Sequence, residues 1–302
     1  MLSCERVKIA RKLGMSEHED WQLHGSAPEL YERYLVPAVT LIWATDLLDR
    51  TKPKPGDFVL DVACGTGAVA RLAANRATSG CVVGLDLNGG MLAVARSVPK
   101  TGVSIRWVQG SALSLPFDDS CFDLVLCQLG LQFFPDRPLA LREMRRVLVP
   151  SGRIALSVFS AIERTPAANA FAMALDHRLG PDASRTKRAE HIFPIADGVG
   201  ALMMEQGFEQ LEITTVTKRI TFPSVLDYVR FQLVATPMAG LLKGRDEVER
   251  ESMIRAIASD VQSLLSPEML CDGRLSFPQE AHVAIARGGH RDPGNFSTLI
   301  PD

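Results

Sequence analysis

Short apolar runs alternate with stretches of helical periodicity along most of the chain. Seven of these runs are typical of buried strands, because they are rich in aliphatic and β-branched residues and are bounded by turn residues. They cover residues 57–62, 81–86, 104–109, 122–127, 153–159, 209–217 and 281–287. The alternation of strand and helix predicts an α/β protein with a mostly parallel, doubly wound sheet.

Three helical segments stand outside this alternation. Residues 28–50 precede the first strand, with Pro37 dividing them into two predicted helices, and residues 160–194 and 223–270 follow the fifth and sixth strands. Insertions after parallel strands leave at the carboxyl end of the sheet, so we expect all three segments to cover one opening there. The predicted division is a helical cap over 1–50, a nucleotide-binding core over 51–159, a helical insertion over 160–195, a core helix and sixth strand over 196–222, a second cap insertion over 223–280, and the last strand with a tail over 281–302.

Composition narrows the class of protein. A formal net charge of −2 over 302 residues gives no basic footprint for nucleic acid, and no apolar run is long enough to span a bilayer. The six cysteines show no C-x-x-C pair and no metal-ligand spacing. Cys64, Cys81 and Cys127 lie in or beside predicted core strands, where we expect reduced, buried thiols and therefore a cytoplasmic protein.

A glycine-rich turn follows the first predicted strand. The run Val-Leu-Asp-Val-Ala-Cys-Gly-Thr-Gly, residues 59–67, ends with Gly65 and Gly67, and a helical pattern comes next. Glycines let the backbone pass close to a ligand, and the N-terminus of the following helix directs free N–H groups toward it. The spacing Gly65-x-Gly67-x-x-Ala70, with Asp86 at the end of the second strand, also fits a dinucleotide-binding fingerprint.

Asp61, at the end of the first strand, distinguishes between two kinds of ligand that this turn could bind. A dinucleotide would bring a doubly charged pyrophosphate over this turn, and the carboxylate would repel it. S-adenosylmethionine carries an ammonium and a sulfonium group and no phosphate, so the same carboxylate attracts it. A purely structural role for Asp61, as a turn or capping residue, is the alternative.

Residues 59–67 resemble the first motif of class I S-adenosylmethionine-dependent methyltransferases, most closely the small-molecule branch that includes the ubiquinone and menaquinone biosynthesis enzymes. The resemblance is strongest over 57–159 and weaker in both flanks. It implies a seven-stranded sheet of order 3-2-1-4-5-7-6 with an antiparallel last strand. It also implies a site for S-adenosylmethionine, with S-adenosylhomocysteine as the product, formed by Asp61, Ala63, Gly65, Gly67, Asp86, Leu87, Met91, Ser111, Ala112 and Gln128.

The resemblance assigns individual roles within this site. Asp86 is expected to bind both ribose hydroxyls, since one carboxylate can accept two O–H bonds. Met91 is expected to pack on the adenine, with a place in the core as its alternative role. Ser111 stands where the family usually has an aspartate for the adenine amino group, which weakens that contact, although the backbone N–H of Ala112 could still serve. Gln128 is expected to contact the methionine part.

The methyl acceptor is expected to bind beside the fourth strand and under the N-terminal helices. In a doubly wound sheet the loop after that strand lies over the ligand, which indicates Gln132 and Phe133 as acceptor contacts. Tyr34 and Trp43 are the aromatic residues of 28–50 that we expect to reach the pocket.

Methyl transfer from a sulfonium requires mainly alignment and exclusion of water. A base is needed only where the acceptor must lose a proton. His24, His191 and His282 are the candidates, and we rank His191 first, with a structural or surface role as the alternative for each. No Asp, His and Glu spacing predicts a catechol-type metal site.

The sequence therefore predicts an S-adenosylmethionine-dependent methyltransferase acting at an oxygen or carbon of a largely apolar small molecule. The enzyme alternative is an NAD-dependent oxidoreductase, against which Asp61 and the lack of a Tyr-x-x-x-Lys pair argue. The other alternative is a non-catalytic S-adenosylmethionine-binding regulator or partner subunit. In that case the helical surface of 225–242 would be a dimer face, and a homodimer is consistent with either reading.

Overall fold

A single mixed sheet forms the centre of the computed structural model, which describes residues 27–289. Its strands are β1 (Phe58–Val62), β2 (Cys81–Asp86), β3 (Ile105–Gln109), β4 (Phe122–Gln128), β5 (Leu148–Phe159), β6 (Glu209–Phe222), β7 (Leu270–Cys271) and β8 (Arg274–Arg287). The order is β3-β2-β1-β4-β5-β8-β6, with the two-residue β7 paired only to β8. β8 is antiparallel to both β5 and β6. The predicted order and the antiparallel last strand are confirmed.

Helices cover both faces of this sheet and its carboxyl end. They are α1 (Ala27–Leu30), α2 (Leu41–Thr51), α3 (Ala68–Arg76), α4 (Gly89–Ser97), α5 (Arg137–Val147), α6 (Pro166–Leu179), α7 (Arg185–Ala189), α8 (Ala196–Glu205), α9 (Val225–Val234) and α10 (Glu247–Leu264). Side chains alternate between the faces along each strand. Val59 packs with α2 and α3, whereas Leu60 and Val62 pack with α5 and α8.

The strands β6 and β8 are longer than the sequence predicted. Only residues 281–287 of β8 pair with β5, while residues 274–280 pair with the last part of β6 and extend beyond the sheet. Pro278 lies in this extension, and proline weakens the strand signal because it has no backbone N–H to donate. The resulting two-stranded ribbon supplies Phe222 and Phe277 to a separate apolar core formed with α6, α9 and α10.

Pro37 does not divide the N-terminal cap into two helices, so that prediction is wrong. Residues Tyr31–Thr40 form wider, π-helical turns between α1 and α2, and the backbone N–H of Leu41 donates to the carbonyl of Val36, five residues back. A proline cannot donate the usual helical bond and clashes with the carbonyl four residues earlier. A wider turn relieves both problems without ending the helix.

Cys64 and Cys127 are free and buried, as expected. Cys81 takes part in a disulfide bond, so the expectation of a reduced thiol is wrong for that residue. Within residues 27–289, no helix combines the length and the apolar character needed to cross a bilayer. His24 lies outside the described residues.

Candidate active site

The glycine turn after β1 exposes its backbone to a cavity at the carboxyl end of the sheet. Ala63 and Gly65 have left-handed backbone conformations, with φ of 57° and 55°, and both line the cavity. A Cβ atom on Gly65 would find no other atom within 4 Å, so this glycine leaves open space beside the turn. Gly67, with φ of 90°, does not line the cavity and packs instead against Trp107.

Asp61 lies beneath this turn at the end of β1, where it is 1% exposed. Its Oδ2 accepts a hydrogen bond of 3.0 Å from the backbone N–H of Ala70, in the first turn of α3. Burial and, to a smaller degree, the negative charge of Asp86 raise the pKa of Asp61 to about 8. Asp61 therefore organises the start of α3, which was the alternative role, and also presents an electron-rich carboxyl group to the cavity wall.

Asp86, at the end of β2, connects the turn to the next helix. Its Oδ2 accepts from the backbone N–H of Gly65 at 2.7 Å, and its Oδ1 accepts from that of Asn88 at 2.8 Å. Burial raises the pKa of Asp86, and these backbone hydrogen bonds oppose the rise. A carboxylate offers about four acceptor positions, and the backbone N–H of Leu87 is a third donor to this group, so it retains capacity for a hydroxyl donor from the cavity.

The residues beyond Asp86 form a flat, mostly apolar pocket. Asn88 caps α4 by accepting from the backbone N–H groups of Gly90 and Met91 at 2.8 and 3.1 Å. Met91 lines the cavity, as do Leu87, Ser111 and Ala112. The Ser111 hydroxyl accepts from the backbone N–H of Leu113 at 3.1 Å, which leaves one lone pair and the O–H for a ligand.

Gln128, at the end of β4, contributes a buried acceptor without a partner. Its Nε2 donates to the backbone carbonyl of Thr40 at 3.2 Å, which joins the loop after β4 to the N-terminal cap. The orientation of the amide leaves Oε1 buried with no hydrogen bond in the structure. Gln128 lines the cavity. An unpaired buried carbonyl costs free energy, and a donor from a ligand would remove that cost.

The cavity has a volume of ≈ 340 Å³ and two parts of different chemistry. We call the residues at the strand ends the polar half; these are Asp61, Ala63, Gly65, Asp86, Leu87, Met91, Ser111, Ala112 and Gln128. We call the residues from the caps, the ribbon, the loop after β4 and the end of β5 the aromatic half; these are Tyr31, Leu35, Val39, Phe133, Phe134, Phe159, Lys187, Glu190, Phe222, Tyr228, Gln232, Phe277 and Gln279. All three cap segments contribute to the aromatic half.

The aromatic half has a wall of rings set by the ribbon and α9. Phe222 and Phe277 are stacked with their ring centres 6.4 Å apart, and Tyr228 meets both edge-on at 5.1 and 5.6 Å. Edge-to-face and offset arrangements are the favourable ones for aromatic rings, which makes the wall rigid. The three rings are 1–3% exposed and line the cavity, so a flat apolar ligand would pack against an already formed wall.

One charged pair interrupts this apolar wall. Lys187 of α7 and Glu190, directly after α7, are 6% and 8% exposed, and Lys187 Nζ lies 2.6 Å from Glu190 Oε2. Lys187 Nζ also donates to Gln232 Oε1 of α9 at 3.3 Å. The sequence analysis missed both charged residues, because a run of basic residues normally indicates a solvated surface. Tyr31 was missed as well, although Tyr31, Leu35 and Val39 share a spacing of four that places them on one helical face.

Three predicted acceptor contacts do not line the cavity. Tyr34 stacks on Phe231 at 4.3 Å, away from the opening. Trp43 is 1% exposed and packs in a core cluster with Phe159, while its Nε1 donates to Gln279 Oε1 at 2.7 Å. Gln132 is buried, and its Oε1 accepts from the backbone N–H of Phe159 at 3.3 Å. Tyr34 and Trp43 lie on other faces of the N-terminal helical segment, and the aromatic content of a segment does not reveal this helical phase. The predicted Phe133 does line the cavity.

The two described histidines of the base prediction also lie behind the cavity wall. His191 stacks on Phe159 with ring centres 5.2 Å apart, and its Nδ1 lies 2.7 Å from the carbonyl oxygen of Ser160, so it donates there. Burial, followed by the charge of Lys187, lowers the pKa of His191 to about 3. His282 pairs with Thr215 at 2.9 Å within the sheet. Neither histidine belongs to the aromatic half.

Metal-ligand side chains do not gather anywhere in the part of the chain that the structure describes. No three His, Cys, Asp or Glu side chains between residues 27 and 289 are placed so that they could hold an ion together.

The sheet order, together with a glycine turn that directly follows an acidic strand end, is characteristic of the class I S-adenosylmethionine-dependent methyltransferases. The chain belongs to the ubiE/COQ5 methyltransferase family, whose pattern matches residues 38–221. The match covers the core strands β1 to β5, the insertion 160–195 and nearly all of β6. It ends before α9 and α10, so that part of the aromatic half is outside the family pattern.

Individual relatives agree with this assignment. A 2-phytyl-1,4-naphtoquinone methyltransferase of Thermosynechococcus vestitus is 34% identical over 188 residues, covering 57% of this chain and 80% of the relative. The ubiquinone/menaquinone biosynthesis C-methyltransferase UbiE of Xylella fastidiosa is 43% identical over 124 residues, covering 40% of this chain and 49% of the relative. The aligned segment therefore spans only about half the length of some relatives.

Solved structures share the fold over most of the chain. A candidate methyltransferase of Bacillus halodurans C-125 has a TM-score of 0.53 and 25% identity, and the match covers 82% of this chain and 99% of the other. A phosphoethanolamine N-methyltransferase of Haemonchus contortus, in complex with phosphomonomethylethanolamine and S-adenosylhomocysteine, has a TM-score of 0.50 and 15% identity. That match covers 88% of this chain and 61% of the other.

Proposed function

We propose that this protein transfers a methyl group from S-adenosylmethionine to a carbon or oxygen of a flat, largely apolar small molecule of the hydroquinone class. The observation that carries the proposal is the division of one cavity into a polar half at the strand ends and an aromatic half beneath the caps. The first suits a nucleoside with a charged tail, and the second suits an apolar ring.

The polar half fits S-adenosylmethionine in its donor and acceptor chemistry. Asp86 retains an acceptor position for a ribose hydroxyl, and the buried Oε1 of Gln128 lacks a donor that an ammonium group would supply. A bound cation would favour the ionised form of the buried Asp61, whereas a pyrophosphate would be repelled by it. Met91 and the backbone of Ala112 border the space expected for the adenine.

The chain's contribution to the reaction is mainly alignment in a dry chamber. S-adenosylmethionine supplies a methyl group that is already activated by the sulfonium. The polar half holds the donor, and Phe133, Phe222 and Phe277 hold an acceptor ring at its other side. A closed arrangement of this kind replaces random encounter by a fixed approach and excludes water from the reacting atoms.

The choice of a hydroquinone rests on the relatives and on the rings of the aromatic half. The relatives with naphthoquinone, menaquinone and ubiquinone in their names are quinone methyltransferases, and a bicyclic or monocyclic ring suits a wall of stacked phenyl groups. The reduced form has electron-rich ring carbons and hydroxyl oxygens, which are the nucleophiles that methyl transfer needs.

Calorimetry and a transfer assay test the proposal in two steps. S-adenosylhomocysteine should bind at micromolar strength and NAD should not; binding of NAD alone would favour the oxidoreductase alternative and defeat the proposal. Methyl-labelled S-adenosylmethionine should then transfer its label to reduced 1,4-naphthoquinones in preference to polar amines. Tight binding of S-adenosylhomocysteine without transfer to any member of such a panel would favour the non-catalytic alternative.

A further inference from the structure

The Lys187–Glu190 pair has the properties of a ligand-binding group. Both side chains are more than nine-tenths buried, yet both line the cavity and do not sit in the core clusters. Removing two charges from water costs several kcal/mol for each ion, and a buried pair recovers this cost only with excellent geometry and further hydrogen bonds. A contribution to the free energy of unfolding alone therefore does not explain why this ion pair lies in a mostly aromatic cavity wall.

The pair also has unused hydrogen-bonding capacity. Glu190 binds Lys187 through Oε2, and its Oε1 accepts no hydrogen bond from residues 27–289. Lys187 donates to Glu190 and Gln232, which uses two of its three protons. The hydroxyl of Tyr228 likewise has no hydrogen bond within that range. One acceptor and two donor groups thus face the same chamber without partners there.

The position of the pair connects it to the polar half. The charge of Glu190 raises the pKa values of both Tyr228 and Tyr31, after the larger effect of burial, and the charge of Asp86 also raises that of Tyr31. The hydroxyl of Tyr31 is therefore within electrostatic reach of both acids. A ligand that contacts Glu190 would occupy the chamber next to the donor's ribose, where a methyl acceptor is needed.

We propose that Glu190 and Lys187 bind a hydroxyl group of the methyl acceptor and that Glu190 accepts its proton during methyl transfer. This inference rests on the proposed function and adds the recognition group and base to it. Oε1 of Glu190 accepts the O–H bond of the acceptor, and Lys187 donates to the same oxygen. The carboxylate lines the chamber, whereas His191 is held behind Phe159 by its bond to Ser160.

The proton and electron pairs balance without a further reactant. The O–H bond breaks as its proton passes to the carboxylate of Glu190, and the oxygen's electron pair increases the electron density of the ring. The new bond forms between the methyl carbon and either that oxygen or a ring carbon, while the carbon–sulfur bond breaks and sulfur leaves as a neutral thioether. At a ring carbon, its hydrogen then leaves as a proton to solvent, and Glu190 returns its proton to the phenolate oxygen; at oxygen, Glu190 returns its proton to solvent.

Binding of three small probes in the presence of S-adenosylhomocysteine tests this role without an activity assay. The probes are 1-naphthol, 1-methylnaphthalene, which lacks the hydroxyl, and 2,4-dinitro-1-naphthol, which is already ionised at neutral pH. The variants are Glu190→Gln and the double variant Lys187→Met/Glu190→Gln, which leaves no unpaired buried charge. Arg188→Gln is the matched control, because Arg188 follows Lys187 directly but pairs with Asp176 at the surface. Thermal midpoints and affinity for S-adenosylhomocysteine confirm that each variant is folded.

Wild type should bind 1-naphthol at least about tenfold more tightly than 1-methylnaphthalene, as expected for a hydrogen bond to a charged group. Glu190→Gln should remove most of this tenfold preference for 1-naphthol over 1-methylnaphthalene. It should also bind the ionised dinitro probe more tightly than wild type, because the carboxylate that repels the anion is gone and Lys187 has lost its ion-pair partner. The double variant should lose the preference and gain nothing with the ionised probe. Arg188→Gln should behave as wild type.

Two results would overturn the inference: a wild-type preference near one, or a Glu190→Gln variant in which both the preference and the affinity for the ionised probe are unchanged. A third result, weaker binding of the cationic analogue sinefungin with unchanged naphthol binding, would assign the pair to the donor's positive charge instead. Failure of wild type to bind S-adenosylhomocysteine at all would count against the proposed function and is visible before any naphthol is added.

Discussion

The two halves of the cavity are built in different ways. The polar half comes from short segments that directly follow β1, β2, β3 and β4, so the sheet order alone brings them together. The aromatic half comes from the π-helical segment, from α7 and the residue after it, from α9, from the ribbon of β6 and β8, and from the loop after β4 and the end of β5. One half therefore depends on the strand ends alone, whereas the other also needs the cap segments, which is how one fold can serve many ligands.

The largest difference between the halves should follow substitution of a glycine. In Gly67→Ala the new Cβ would lie 2.3 Å from Cη2 of Trp107 at a φ of 90°, so the turn must move. We expect a loss of about 1–3 kcal/mol in the free energy of unfolding from backbone strain, and a larger loss of affinity for S-adenosylhomocysteine. Denaturant unfolding and calorimetry measure the two effects.

Gly240→Ala is the matched control for this change. Gly240 is exposed beside the aromatic half and has ordinary backbone angles, and its Cβ would meet no atom within 4 Å. It should leave both quantities unchanged. Equal losses in the two variants would remove the distinction between a rigid polar half and a tolerant aromatic half.

The next largest effect should come from Asp86→Ala. This variant loses the proposed acceptor for the ribose and the support of the Gly65 and Asn88 backbone, so affinity for S-adenosylhomocysteine should fall by about 1.5–3 kcal/mol or more. Asp123→Ala is the control, because its Oδ2 also accepts from a backbone N–H, that of Phe58 at 2.9 Å, at the opposite end of the sheet. A variant at Asp86 that binds as well as wild type would exclude it as the ribose ligand.

Affinity for S-adenosylhomocysteine should also depend on pH through Asp61. With a pKa of about 8, Asp61 holds a proton at neutral pH in the folded protein without ligand. In the unfolded chain the same aspartate has an ordinary pKa and has lost this proton. The unliganded protein should thus lose stability as pH rises from about 4 to 8, because the folded state holds more protons in that window.

An ammonium group binds the ionised carboxylate, so ligand binding should release this proton. As the pH falls below 8, the affinity for S-adenosylhomocysteine should decrease by up to about tenfold per pH unit. Calorimetry in buffers of different ionisation enthalpy should detect the proton that ligand binding releases. Asp61→Asn should abolish most of this dependence. Constant affinity between pH 6 and pH 9 in wild type would contradict an electrostatic role for Asp61.

The smallest effect on ligand affinity should come from Trp43→Phe, because Trp43 lies behind the wall of the aromatic half and does not line the cavity. It removes the 2.7 Å hydrogen bond to Gln279 and leaves a mostly buried amide without that partner, at a cost of about 1–3 kcal/mol in the free energy of unfolding. Affinity for S-adenosylhomocysteine should not change. The double variant Trp43→Phe/Gln279→Leu should recover part of the loss, because no polar group is then stranded; a further loss would show that packing of the indole dominates.

The same contrast explains what the sequence could predict. Strand order and the clustering of Asp61, Gly65 and Asp86 depend on local patterns and on the general topology of doubly wound sheets. Each cofactor residue lies within a few positions of a strand end, so an error of one or two residues in a boundary does not move it out of the site.

The acceptor side depends on helical phase and on contacts between distant segments. Tyr34 and Trp43 were selected for their aromatic side chains, while the π-helical turns around Pro37 place Tyr31 on the cavity wall instead. Lys187 resembles a surface residue in sequence, and only its contact with Gln232, 45 residues later, reveals its buried position. No local pattern carries that information.

Hydrogen exchange with and without S-adenosylhomocysteine tests most directly whether the two halves form one covered site. Lids belong to the less stable part of a structure, so α6, α9 and the π-helical segment should exchange faster than β1, β4 and β5 in the free protein. The ligand should slow exchange strongly at 63–67, 86–91 and 110–113, and measurably in all three cap segments. Protection confined to the strand ends, with every cap unchanged, would contradict the account, because the aromatic half would then not close over the bound donor.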